Sequence, residues 1–171
     1  MKSWIFKGTL AAAIVLPALA GAARAGGGDD FGCSNATLNG EYAFGVTNYT
    51  LPEVVAGIKI FDGRGSLTQR DYAGDSLRTM GQTDFSPPGQ EKGTYAVNHD
   101  CTGSMVINLN ALGVPPVTTQ GGVIKIMFVI SDGGRHIHEV VSEFTPPGSS
   151  GPVPTQTSAD DWKVASEGRG D

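Results

Sequence analysis

A chain of 171 residues with a net charge of −5 is long enough for one domain of ordinary size, and its acidic balance argues against a nucleic-acid partner, because an acidic surface repels the phosphate backbone. Twenty-five glycines and ten prolines cut the sequence into short pieces and exclude a helical bundle. No stretch carries the run of about 20 apolar residues that a membrane-spanning helix needs.

The chain opens on the pattern of a secretory leader. Lys2 and Lys7 form a basic start, Leu10 to Ala20 an apolar stretch, and Ala23-Arg24-Ala25 sets small residues where a signal peptidase reads. Cleavage is expected after Ala25. It removes Lys2, Lys7 and Arg24 and no acidic residue, taking the net charge from −5 to −8. The expected layout is a signal peptide over 1–25, a flexible segment over 26–31, a β domain over 32–145, and a disordered tail rich in Pro, Gly and Ser over 146–171. The expected address is the periplasm or the outside of the cell, with no stable membrane span after cleavage.

Cys33 and Cys101 are the two cysteines of the chain. In an exported protein they pair as a disulfide. A redox or metal-binding pair usually carries C-x-x-C spacing, which is absent here.

Between them and beyond, pieces rich in Val, Ile, Thr, Tyr and Phe read as strands. They fall near 40–49, 54–61, 66–73, 92–98, 103–109, 121–130 and 135–144, with 77–85 as a candidate eighth. Asp62-Gly63, the run Asn98–Gly103 and Asp132-Gly133-Gly134 lie between apolar runs and mark hairpins. Sequential hairpins without covering helices predict an all-β fold, an antiparallel up-and-down meander of seven or eight strands. A closed, calycin-like barrel is the expected form, with a sandwich as the alternative.

Side-chain parity extends the reading. Ile58 and Ile60 share one face, Lys59 and Phe61 the other. Two-residue turns would carry Leu67, Gln69 and Asp71 onto the face of Ile58 and Ile60. In the third hairpin they would carry Arg135, Ile137, Glu139, Val141 and Glu143 onto the face of Ile124, Ile126, Phe128 and Ile130, and His136 and His138 onto the opposite one. Val123–Ile130 has Lys125 as its one charge, so part of the outer wall is expected to be covered, by a terminal segment or in a homo-oligomer.

The runs Cys33–Tyr42, Phe61–Gly65 and Gly93–Gly103 together resemble a group of uncharacterised bacterial secreted proteins, themselves similar to the barrel family of allene oxide cyclases and dirigent proteins. The resemblance covers about residues 33 to 144 and rests on turns, strand starts and the cysteine pair. It implies an eight-stranded, often oligomeric barrel whose apolar cavity steers cyclisation or coupling of a small organic molecule. It carries over no catalytic residue.

Candidate chemistry is sparse. Glu139 and Glu143 are candidate general acid–base residues if their face lines the lumen, since an apolar cavity would raise their pKa values. Arg135 beside them could take an anionic ligand group. Tyr42, Phe44 and Tyr95 are candidate cavity-lining aromatics, although such positions also serve as plain core. His136 and His138, at i and i+2 of a strand, could both reach one metal ion, but a site needs a third ligand. Packed or solvent-facing histidines satisfy the pattern equally, so no metal and no cofactor is expected. The function expected is an exported barrel that binds a small, largely apolar molecule. The alternatives are a cyclase- or isomerase-type enzyme and a protein–protein interaction module.

Overall fold

A computed structural model describes residues 32–49, 53–75, 84–109 and 122–164. The expected signal peptide and the segment 26–31 lie outside the described residues, as does most of the candidate strand 77–85.

Eight antiparallel strands run in chain order around a closed barrel. They are β1 (Asn39–Asn48), β2 (Glu53–Asp62), β3 (Ser66–Asp75), β4 (Glu91–Val97), β5 (Thr102–Asn108), β6 (Val123–Ser131), β7 (His136–Thr145) and β8 (Thr157–Lys163). Each pairs with its neighbour in sequence, and β8 returns to pair with β1 over seven residues, from Tyr42↔Lys163 to Asn48↔Thr157. Closure removes the two free edges that an open meander would expose.

The closing strand corrects the expected domain layout. The stretch 146–171 was expected to be a disordered tail, yet Thr157–Lys163 completes the barrel. Its sequence, Thr-Ser-Ala-Asp-Asp-Trp-Lys, carries only Thr157 and Trp162 as strand-favouring residues, and Trp162 points outward. It is held because Ala159 and Asp161 point inward and are buried, while ladders to β1 and β7 satisfy its backbone on both sides.

The hairpins stand where the turn residues mark them, but their loops are longer than two residues. Phe61 pairs with Leu67, so Gly63, Arg64 and Gly65 bridge β2 and β3. Asp62 holds this loop with one carboxylate oxygen, which accepts from the N–H groups of Arg64, Gly65 and Ser66 at 2.7, 3.0 and 2.9 Å. Gly63 and Gly65 supply the positive φ that the loop requires. The odd count reverses the expected parity of β3. Leu67 and Gln69 join Phe61 and Lys59 inside the barrel, and Ile58 and Ile60 point outward, 39% and 46% exposed.

The third hairpin keeps parity for Ile137, Glu139 and Val141, which stand opposite Ile130, Phe128 and Ile126 inside the barrel. A bulge then breaks the register: Ile126 pairs with Val141, but Lys125 pairs with Glu143. Ser142 is the extra residue, and its hydroxyl donates to the Lys125 carbonyl at 3.0 Å.

Where two inward positions face each other too closely, one is glycine. A Cβ on Gly57 would lie 2.6 Å from the Phe44 ring, and one on Gly103 2.2 Å from the Phe128 ring. Each aromatic fills the space its glycine leaves, the device by which curved sheets close.

Candidate functional site

The two ends of the barrel are built differently. At one end the segment before β1 crosses the opening. Leu38 plugs it, fully buried. Phe61 lies edge-on to Tyr42 and to Tyr95, with ring centroids 5.2 and 5.1 Å apart. The Tyr95 hydroxyl donates to the carbonyls of Leu38 (2.9 Å) and Asn35 (3.1 Å), and the Tyr42 hydroxyl donates to the Gly134 carbonyl. Burial raises both phenols, Tyr42 to about 12 with help from the neighbouring Tyr95 and then Asp161. Cys33 and Cys101 form a disulfide with Cα atoms 4.9 Å apart, tying the crossing segment to the β4–β5 turn, as the sequence predicts. This end is sealed.

The opposite end, where β1–β2, β3–β4, β5–β6 and β7–β8 connect, is graded. Inward residues on six of the strands go from buried to half-buried toward it. Tyr42 and Phe44 are buried and Val46 is half-buried; Ile126 is buried and Ile124 half-buried; Glu139 is buried and Val141 half-buried. Val46 stands opposite Val55 and Ala159, and Val55 opposite Ala73. These small apolar side chains line the inner face of the barrel at this end, here termed the cup.

A polar layer separates cup from plug. The Lys59 ammonium donates to Glu139 at 2.6 Å and to both oxygens of Asp161 at 3.1 and 3.2 Å. It also lies 4.5 Å from the centroid of the Phe44 ring. All three charged side chains are essentially inaccessible to solvent. Burial alone would lower the Lys59 pKa, but the facing carboxylates outweigh it and hold the ammonium charged. Two carboxylates around one ammonium would leave a net buried charge. Burial, opposed by Lys59 and aided by Glu139, accordingly pushes Asp161 up to about 8. Glu139 in turn hydrogen-bonds the Asp161 carboxyl.

Beside Lys59 in register stands Gln69, and beside Gln69 stands Glu91. The Gln69 amide donates to Glu91 and to Asp71, each at 3.0 Å. Burial, reinforced by the charge of Asp71, raises Glu91 to about 8. The layer beneath the cup therefore holds an ammonium, an amide and, in Asp161 and Glu91, carboxyls raised by burial to about 8.

Set against this layer, the residues singled out from the sequence divide cleanly. Glu139 lies inside, on the face that parity assigns it. Glu143 does not: the bulge turns it outward, where it pairs with Lys125 at 2.9 Å. Arg135 belongs to the loop that a two-residue turn leaves out, its side chain 75% exposed beside Asp132. Tyr42 and Tyr95 are inside but belong to the plug, and Phe44 alone of the three aromatics reaches the layer. His136 and His138 lie on the outer wall. Lys59, Asp161, Gln69 and Glu91 are absent from the sequence reading as site residues. A lysine sharing a strand face with Phe61 was the available signal for the first, whereas Asp161 sits in the stretch read as a tail.

No protein-family model and no curated protein matches the sequence. Solved structures do resemble the barrel. EF1p2_mFAP2b bound to DFHBI is 11% identical with a TM-score of 0.50, over 75% of this chain and 94% of that one. A redesigned beta barrel, mFAP1, bound to DFHBI, is also 11% identical, with a TM-score of 0.46 over 75% of this chain and 97% of that one. At such identity the likeness is one of fold.

Proposed function

We propose that this protein binds a small, largely apolar molecule in the cup, above the polar layer of Lys59, Glu139 and Gln69. One observation carries the reading: half-buried apolar side chains line the inside of the barrel at one end, above a buried polar layer of Lys59, Glu139 and Asp161. A concave apolar wall with a few convergent polar groups is the usual make-up of a ligand site. The DFHBI bound by EF1p2_mFAP2b adds support from a barrel of like fold. The leader pattern of residues 1–25 and the disulfide support a periplasmic or secreted address. The resemblance to allene oxide cyclase and dirigent barrels agrees with a cavity of this kind.

The neutral dye Nile red tests the reading. Its emission is expected to shift to the blue and saturate at one dye per chain. Val46→Trp, which fills the cup from the wall, is expected to abolish the shift while leaving the far-ultraviolet circular dichroism unchanged. Undiminished dye binding by a folded Val46→Trp protein would refute it.

The buried carboxyl pair of Glu139 and Asp161 favours a second reading, a cyclase- or isomerase-type enzyme with Glu139 as the acid–base group. Chemical conversion of a bound ligand by the wild type, lost in Glu139→Gln while binding persists, would establish it. Equal conversion by both would remove Glu139 from that role.

A further inference from the structure

The outer wall carries a second cluster, built from the same two strands. His136 and His138 alternate along β7 and so project from the same face. Asp160 of β8 stands opposite His138 in register, and Trp162 opposite His136. One oxygen of Asp160 lies 3.1 Å from His136 Nε2 and 2.8 Å from His138 Nδ1. One donor atom from each of the three residues lies within 4.8 Å of the other two. The third ligand that two strand histidines lack in the sequence is thus supplied by the closing strand.

We propose that His136, His138 and Asp160 bind one divalent transition-metal ion of the Zn2+/Cu2+ class. Two imidazoles and one carboxylate suit such ions better than Ca2+ or Mg2+, which prefer all-oxygen shells. The site is pre-arranged: Trp162 stacks on the His136 ring with centroids 3.6 Å apart and planes 12° from parallel. The His136 side chain is 11% exposed, whereas those of His138 and Asp160 are 56% and 59% exposed, so an ion can enter from solvent and keep water in its remaining positions. Binding replaces the hydrogen bonds to Asp160 with metal bonds and ties β7 to β8.

The chain's tryptophans are Trp4 and Trp162, so a Trp4→Phe protein reports on this site alone. Cu2+, which quenches nearby indoles, is expected to quench Trp162 to saturation at one equivalent. Zn2+ is expected to compete the quenching away and to raise the Tm. His138→Ala and Asp160→Asn are each expected to weaken Cu2+ binding about tenfold or more and to cancel the Zn2+ effect on Tm, while His99→Ala changes neither. Both variants alter exposed side chains and keep the fold testable by circular dichroism. Quenching that does not saturate at one equivalent, that survives His138→Ala in a folded protein, or that is lost in His99→Ala would overturn the proposal.

Discussion

The sealed end and the mouth of this barrel use the same eight strands for opposite ends. At the sealed end every inward residue is spent on closure: Leu38, Phe61, Tyr42 and Tyr95 interlock, and the disulfide fixes the segment that lies across them. At the mouth the inward residues are half-buried, and Ile124 and Val141 pack against the edge of the core. Burial is most complete in one half, and the proposed binding site lies in the other. The Lys59 layer is the boundary, and it is where a change should be felt on both sides.

Lys59→Met should have the largest effect. It strands Glu139 and Asp161 in the interior without a counter-charge, and breaking a buried ion cluster from one side costs about 3–5 kcal/mol. Urea unfolding reads this directly, and a loss under 1 kcal/mol would mean that the layer is wet. Leu38→Ala comes next, at about 3 kcal/mol, because it opens a cavity in the plug. It should leave dye binding at the mouth intact, and loss of dye binding in a folded Leu38→Ala protein would join the two halves that the structure separates.

Glu91 gives a pH signature. The folded protein keeps this proton up to about pH 8, whereas an unperturbed glutamate releases it near 4.5. Between those values the folded state binds one more proton than the unfolded state. Its contribution is therefore full below pH 4.5 and falls as pH rises, by at most about 1.4 kcal/mol per unit, until about pH 8. Glu91→Gln should remove that slope in a denaturant series across the range, and parallel wild-type and variant curves would exclude a buried, protonated Glu91. Ile124→Ala, at the mouth, should cost least, about 1 kcal/mol, because its side chain is already half in water. Its effect should appear instead as weaker dye binding.

The architecture was largely legible because period-two apolar patterns and Asp-Gly turns depend only on local chemistry. Seven strands and three hairpins stand where those signals put them, and the cysteines pair. The site was less legible, for two physical reasons. Parity carried across a turn depends on loop length, and a two-residue assumption at Asp62–Ser66 moved Gln69 to the wrong face; the bulge at Ser142 did the same to Glu143. Neither loop length nor bulge position is written in residue type. Likewise β8 is strand by virtue of its neighbours, so Asp160 and Asp161, members of two separate clusters, were hidden in a stretch whose own composition favours none.

The division of the barrel is tested most directly by a methyl NMR titration with Nile red. The account predicts shifts at Val46, Val55, Ile124 and Val141, with Leu38, Ile130 and Ile137 in the sealed half unmoved. Shifts confined to the outer wall, at Ile58, Ile60 and Val129, would place the dye outside the barrel and contradict a binding cup.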